Sequence, residues 1–487
     1  MKRYLLMILC LVGVSYMAHA QRKLSLDSCR TMALQGNKQL TLARLGQDVA
    51  RDVKKAARTH YLPKVDALGG YSYMSKEVSI LNDDQKSALS NLGSNAVNGM
   101  ATSGIGAQLA QILEGLGMNP AQVLPAAASA LNQTGQNVVD AFRTDTRNMW
   151  AGTIQLRQPI YMGGAIKAAN RMADIGESVA DIRIEQQMQE TIYDVDKVYW
   201  LVVSLRQKQR LAESFRDLVS HLDEDVHKMI GEGVATRADG LKVDVRVNEA
   251  EMKITEVENG LSLSRMLLCQ LCGLPLDTDF VLEDEDKELQ VPTLETQPDG
   301  DVNLRPELRL LESAVEVSRQ GEKLALAPYL PHVGLVAGYT FSNPNVFNGF
   351  EQKVGGFWNV GVMIHVPVWN WMEGKFKVRA AKTSTLMAQT TLDEAREKID
   401  LQLAQSRFKV TEAHKKLQRA NKDIESAEEN LRCANAGFHE GVIDATTVMA
   451  AQTAWQQAES QRIDAEIDVR MAETTLRKTL GTLSIDR

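Results

Sequence analysis

The sequence predicts a mainly α-helical chain that also carries a small transmembrane β-sheet, the whole built as two repeats. Three observations predict this. Three pairs of segments match one another across the chain. Two tracts of more than a hundred residues contain no proline. Short aromatic segments alternate apolar and polar residues.

The repeat rests on three anchors. YLPKVDALGGYSY at 61–73 matches YLPHVGLVAGYTF at 329–341. GEGVATRADGLKVDVRVNEAE from 231 matches HEGVIDATTVMAAQTAWQQAE from 439, and LLCQLCGLPL from 267 matches TLRKTLGTLS from 475. The last two pairs share one offset, and the offset of the first is larger by roughly sixty residues. The first repeat therefore holds a long insertion at 74–148. The expected layout is a first repeat at 21–275, an irregular linker at 276–305 containing EDEDKE, and a second repeat at 306–487.

Residues 1–20 precede the repeats and read as a signal peptide. Lys2 and Arg3 form a basic start, Leu5 to Val14 an apolar stretch, and Ala18-His19-Ala20 a small-x-small cleavage site. Cleavage removes two positive charges from a chain whose formal net charge is already -7, which argues against nucleic acid as a partner. After Ala20 no run of eighteen apolar residues occurs, so any membrane insertion must use strands.

The helices follow from proline. In a helix interior it costs about 3 kcal/mol. None occurs between Pro159 and Pro275, and none after Pro367. Each tract is interrupted by glycine, at Gly231/Gly233 and at Gly437/Gly441, and so reads as a helical hairpin. The rising arms are expected at 165–229 and 375–436, the falling arms at 236–272 and 445–480. Apolar residues of the first falling arm, Val243, Val247, Val257 and Leu261 among them, mix helical spacings, as suits a helix packed on two neighbours. Shorter helices are expected at 28–59, capped by Ser25 or Asp27, and at 306–327.

Two strands are expected per repeat, at 65–75 and 148–160, then at 333–342 and 355–368, the second of each pair ending at Pro159 or Pro367. In the last strand Trp358, Val360, Val362, Ile364 and Val366 fall on one face, and Asn359, Gly361, Met363 and His365 on the other. Its mate places Trp150, Ile154, Leu156 and Ile160 against Thr153, Gln155 and Arg157. Tyr71, Tyr73, Tyr339 and Phe341 stand at the matching ends of the partner strands. Strands of about ten residues with one apolar face and aromatic ends are the mark of a transmembrane β-barrel. Four strands cannot close one, and an open sheet in lipid leaves backbone groups unpaired at several kcal/mol each. A chain of this kind must oligomerise, and three copies would bring twelve strands.

Doubled plan, Tyr-Leu-Pro entries, QPIYMGG at 158–164, Gly233-Val-Ala-Thr236 near the bend and LRKTLGTLS near the end together resemble the TolC family of outer membrane efflux proteins, over nearly all of residues 24–484. The resemblance implies a homotrimer with one twelve-stranded barrel in outer membrane lipid and a periplasmic α-barrel of helical hairpins. It implies docking at the hairpin tips with a periplasmic adaptor (membrane fusion) protein and an inner membrane RND or ABC transporter. Its implied activity is passive outward conduction, as the exit duct of a tripartite efflux pump or of a type I protein secretion system. The insertion at 74–148 would lie outside the cell. Thr447 and Ala450 stand where some relatives carry aspartates that ring the closed entrance.

The candidate sites follow. Glu232, Gly233, Thr236, Arg237 and Asp239 surround the first bend, and Glu440, Gly441 and Asp444 the second. Threefold repetition would turn an inward carboxylate into a ring that attracts cations. In the family the same stretch meets the adaptor. Gln155, Arg157 and His365 are candidates for the barrel lumen, and Tyr71, Tyr73, Trp150, Tyr339, Phe341 and Trp358 for the membrane interface. In CQLC at 269–272 the repeat aligns Cys269 with Arg477 and Cys272 with Leu480, so Cys269 is expected to be exposed and Cys272 a small core residue. His221 and Asp225 have the spacing of a metal pair but read as a solvated helix face. No nucleophile elbow, phosphate loop or HExxH occurs, so no enzyme, metal or cofactor is expected. The reading of a different class is a soluble periplasmic coiled-coil scaffold, which has no use for a repeated apolar strand face ending in Trp.

Overall fold

The computed structural model describes residues 22–144, 146–287, 301–350 and 352–484. The signal-peptide segment and residues 288–300 of the linker lie outside them. In chain order the described residues form β1 (Arg22–Leu24), α1 (Leu26–Gly36), α2 (Lys38–Arg58), β2 (Lys64–Tyr73), α3 (Asp83–Ser90), α4 (Leu92–Thr102), α5 (Ile105–Gly115) and α6 (Pro120–Ala141). They continue with β3 (Asn148–Met162), α7 (Ala165–Gly231), α8 (Arg237–Cys272), β4 (Phe280–Leu282), α9 (Pro306–Leu326), β5 (His332–Asn343), β6 (Gly355–His365), α10 (Glu373–His439) and α11 (Ala445–Thr479). Two compact units result. One comprises the described parts of Met1–Ala57, Ala168–Ala325 and Lys375–Arg487, the other Arg58–Lys167 and Leu326–Gly374.

The first unit is helical. Its longest elements, α7 and α10, have 67 residues each. At 1.5 Å per residue that is about 100 Å of helix. Among the described residues no helix is long and apolar enough to cross a membrane. Near the bends Phe215, Val219, Leu222 and Val226 of α7 share one buried cluster with Val243 of α8, Leu431 and Phe438 of α10 and Val448 of α11. Gln452 of α11, buried among them, donates to the Leu218 carbonyl of α7 at 3.2 Å. Four helical arms therefore share a core at their tips, which is why no single heptad runs through them.

A second cluster joins Leu24 of β1, Cys29 and Ala33 of α1, Val195, Tyr199 and Val203 of α7, Leu268, Cys269 and Cys272 of α8 and Phe280 and Leu282 of β4. The Arg30 guanidinium grips Asp196 in the same region, with two hydrogen bonds of 2.7 Å. Two expectations are corrected here, and one choice between alternatives is decided. The single helix at 28–59 is two helices, because Asn37 accepts from the amides of Gln39 and Leu40 at 2.7 and 3.3 Å and starts α2 anew. Ser25 is the cap of α1, accepting from Ser28 N at 3.2 Å. The linker is not wholly irregular. Its β4 pairs in parallel with β1, and three residues are too few to show a period.

The second unit carries the strands, in the order β2-β3-β5-β6, all antiparallel. Each entry is made in the same way. Leu62 and Leu330 precede prolines and are extended, at φ -92° and -100°, as the proline ring requires. Their amides close equivalent turns on Thr59 and Ala327, at 3.0 and 3.1 Å. The expected strand ends at proline are corrected. β3 runs through Pro159 to Met162, with a register shift between Pro159 and Tyr161 that absorbs the missing N–H. β6 stops at His365, two residues before Pro367.

The strand-to-helix turns differ between the halves. Gly163 and Gly164 have φ of 59° and 84°, and a Cβ on Gly163 would stand 2.3 Å from the Ala327 carbonyl. The second half puts Trp371 and Met372 at φ of 48° and 63°. The insertion at 74–148 folds as α3 to α6. A Cβ on Gly93 would meet the Ala128 carbonyl at 2.0 Å, and one on Gly135 the Leu89 carbonyl at 1.9 Å, so glycine alone allows these helices to touch.

Candidate functional site

Both bends are built alike. α7 and α10 end in Schellman turns, in which the amide just after the left-handed residue reaches back five residues. Val234 N donates to Met229 O at 2.9 Å and Gly233 N to Ile230 O at 3.1 Å. Their counterparts are Val442 N to Gly437 O at 2.8 Å and Gly441 N to Phe438 O at 3.0 Å. Such a turn needs a left-handed residue, and Gly233 and Gly441 supply it at φ of 77° and 73°. Glu232, Arg237 and Glu440 are exposed beside these turns.

The falling arms then start on side-chain caps. Thr236 and Asp239 form a capping box: Thr236 Oγ1 accepts from Asp239 N at 3.3 Å, and Asp239 Oδ2 accepts from Thr236 N at 3.3 Å and from the Thr236 hydroxyl at 2.6 Å. Lys242 Nζ donates to the other oxygen of Asp239 at 3.0 Å. The Thr236 hydroxyl first, and Lys242 next, hold the Asp239 carboxyl down at about 2. Asp444 caps α11 and accepts from Thr447 N at 2.9 Å and from the Thr447 hydroxyl at 2.5 Å. Those bonds hold Asp444 below the usual carboxylate range, and Lys242 adds to the effect. Thr447 thus serves the cap. Lys242, which influences both bends, was not legible in the sequence, because its effect on Asp444 joins two distant repeats.

In the strand unit the register collects the predicted faces. Lys64 stands opposite Arg157, Asp66 opposite Gln155 and His332 opposite His365. Arg157 pairs with Asp66, and the Thr153 and Thr340 hydroxyls lie 3.1 Å apart. Arg157, His332, His365 and His60 line a cavity of about 650 Å³. On the opposite face Tyr71 stands against Trp150 and Tyr339 against Trp358. Trp150 and Phe341 meet edge to face at 6.0 Å. Phe341 lies over Gly152, where a Cβ would come within 2.4 Å of the ring. This apolar face is uncovered, with Trp358 76% and Val360 69% exposed.

Cys272 is buried as expected, its Sγ 3.7 Å from the Cys29 carbonyl. The expectation for Cys269 is corrected: it is 1% exposed, because the chain turns back after α8 and lays Thr278 and Phe280 against it. His221 and Asp225 do not pair. Asp225 instead takes Lys228 at 3.1 Å. The pair that forms is Asp223 with His227, two residues further on with the same i,i+4 spacing and the opposite order.

Hairpins with one 67-residue arm each, and a sheet whose apolar face has no cover, fit an outer membrane channel. The chain belongs to the outer membrane efflux protein family, whose model matches residues 30–274 and 302–482. It is 22% identical over 376 residues to the alkaline protease secretion protein AprF of Pseudomonas aeruginosa, covering 74% of this chain and 78% of that one. Its fold is similar to the outer membrane protein VceC of Vibrio cholerae, with TM-score 0.70 and 13% identity, over 94% of this chain and 96% of that one. It is also similar to the open state of the outer membrane channel MtrE of Neisseria gonorrhoeae, with TM-score 0.64 and 16% identity, over 94% and 88% of the two chains.

Proposed function

We propose that three copies of this chain join into one twelve-stranded barrel and act as the passive exit duct of a tripartite efflux pump. The observation that carries this reading is the sheet order, which leaves β2 and β6 at the edges. Every residue of β2 is exposed, and every residue of β6 after Gly355. In lipid such edges must be paired, and copies placed head to tail pair them all. Gln155, Arg157 and His365 would then line the lumen, and the aromatic residues of the other face would meet the headgroups. The two repeats would each supply one hairpin to a periplasmic tunnel, and the insertion at 74–148 would lie outside the cell.

The tips would form the periplasmic entrance and the docking surface for an adaptor protein, which links the duct to an inner membrane RND or ABC transporter. Rings of Asp239 and Asp444, ionised at neutral pH, would favour cations there. No reaction is assigned to the chain. The second reading, an exit duct for type I protein secretion, is favoured by the similarity to AprF, which is named for the secretion of a protease.

The test is electrophoresis of outer membrane fractions with and without heating. The expected result is a heat-modifiable trimer that conducts in planar bilayers. Protein recovered from the soluble periplasmic fraction would reject the duct in favour of a scaffold. Deletion of the gene then separates the two ducts: intracellular accumulation of small toxic compounds marks efflux, and loss of one exported protein marks secretion.

A further inference from the structure

We propose that Asp223, His227 and Asp244 form a binding site for a borderline divalent cation of the Zn²⁺ class, bridging the two arms of the first hairpin beside its bend. Asp223 and His227 are one turn apart on α7, and Asp244 faces them from α8. One ligating atom from each lies within 4.8 Å of the other two.

The tautomer is set by the backbone. His227 Nδ1 lies 3.0 Å from the Asp223 carbonyl oxygen, which can only accept, so Nδ1 carries the hydrogen. In the neutral ring His227 Nε2 keeps its lone pair, 3.9 Å from Asp244 Oδ1. Zn²⁺ takes imidazole nitrogen and carboxylate oxygen at about 2.0–2.2 Å, which sets neighbouring ligand atoms about 3.4 Å apart in a tetrahedron. With the atoms at most 4.8 Å apart, side-chain rotations that move them by up to about 1.4 Å close the trio to that spacing. A fixed Nδ1–H with a metal on Nε2 is the usual arrangement of a ligating histidine.

A second observation points to a ligand. Asp223 Oδ1 is shielded from solvent and has no hydrogen bond among the described residues, although the side chain as a whole is 27% exposed and His227 Nδ1 approaches this oxygen to 3.2 Å. Two carboxylates held together across a hairpin need a proton or a cation between them. Gly240 of α8 lies against the ring, where a Cβ would stand 3.7 Å from His227 Nε2 and 2.8 Å from Ile230 Cδ1. His227 is half-exposed, so an ion can enter and keep water in the fourth position. The imidazole selects against Mg²⁺ and Ca²⁺, which prefer oxygen alone.

The site lies four residues from the end of α7 at Gly231. A bound cation would tie α7 to α8 there and stiffen the first bend. That consequence rests on the reading of the tips as an entrance, whereas the binding itself does not. The two are tested apart, since cation uptake needs no conductance.

The test uses purified full-length protein in detergent, stripped with chelator and titrated with Zn²⁺, and with Co²⁺ as an optical probe. The expected result is one equivalent per chain with a tetrahedral Co²⁺ spectrum. His227→Gln and Asp244→Asn should each weaken binding by at least the about 10–100-fold that loss of a mere supporting residue costs. His221→Ala should leave it unchanged. In the wild-type protein, Zn²⁺ should protect His227 from diethyl pyrocarbonate, read by peptide mass spectrometry. Absence of saturable uptake, unchanged affinity in His227→Gln, or failure of Zn²⁺ to protect His227 would each overturn the site.

Discussion

Arg30 and Asp196 show what one residue pair decides. They lie 166 positions apart, yet two 2.7 Å bonds join them, with the Asp196 side chain fully buried. Truncating Arg30 would strand a carboxylate in the core. Arg30→Ala is expected to cost about 3–5 kcal/mol in chemical unfolding of the purified protein. Arg30→Met with Asp196→Leu should recover most of that loss, because the buried charge goes with its partner. A smaller loss for Arg30→Ala than for the double variant would mean that the pair matters only through packing. Neither residue was legible as special, since an arginine in an early helix and an aspartate in a long one carry no signal until the chain folds.

Among the elements, the hairpin bends were the most legible. Glycine near the middle of a proline-free tract locates a bend, and Thr236 followed by Asp239 has the spacing of a capping box. The partners of the cap were not legible. Asp239 ionises at about 2 in place of the ordinary 3.8. Its folded value is depressed, so the stability it lends is complete above the ordinary value and is lost as pH falls through about 2. Hydrogen exchange at the Asp239 and Gly240 amides should therefore quicken as pH falls over that window, beyond the intrinsic trend. Asp239→Asn should exchange quickly throughout. Equal protection in both proteins would remove the carboxylate from the cap. Elements too short for periodicity were missed, β4 among them, and so was the break at Asn37, where one side chain outweighed an unbroken helical pattern.

At the scale of the whole molecule the sheet has one apolar and one polar face, and the proposed barrel would turn the first to lipid and the second to water. Val362 lies on the apolar face opposite Leu335, and Asn359 on the polar face opposite Gly338. Arginine on a lipid-facing strand costs about 2–4 kcal/mol at the membrane midplane. Val362→Arg should therefore deplete the heat-modifiable form in outer membranes, while Asn359→Arg should leave its yield near wild type. Equal yields would show that the apolar face does not meet lipid. The alternation was readable because β structure has a period of two, and the pairing order was not, because antiparallel strands of similar composition fit several orders.

By itself the sequence determined the doubled plan, the long helices, the positions of the bends and the two faces of each strand. The first comes from matching segments along the chain, and the other three are local consequences of proline, glycine and periodicity. Only the tertiary structure decided which residues meet. It set Arg30 against Asp196, laid the chain after α8 over Cys269, brought Lys242 near both bends, and placed Asp244 across from Asp223 and His227. Each of these contacts joins residues separated in the chain, and their energy comes from burial and charge that exist only once the helices have packed.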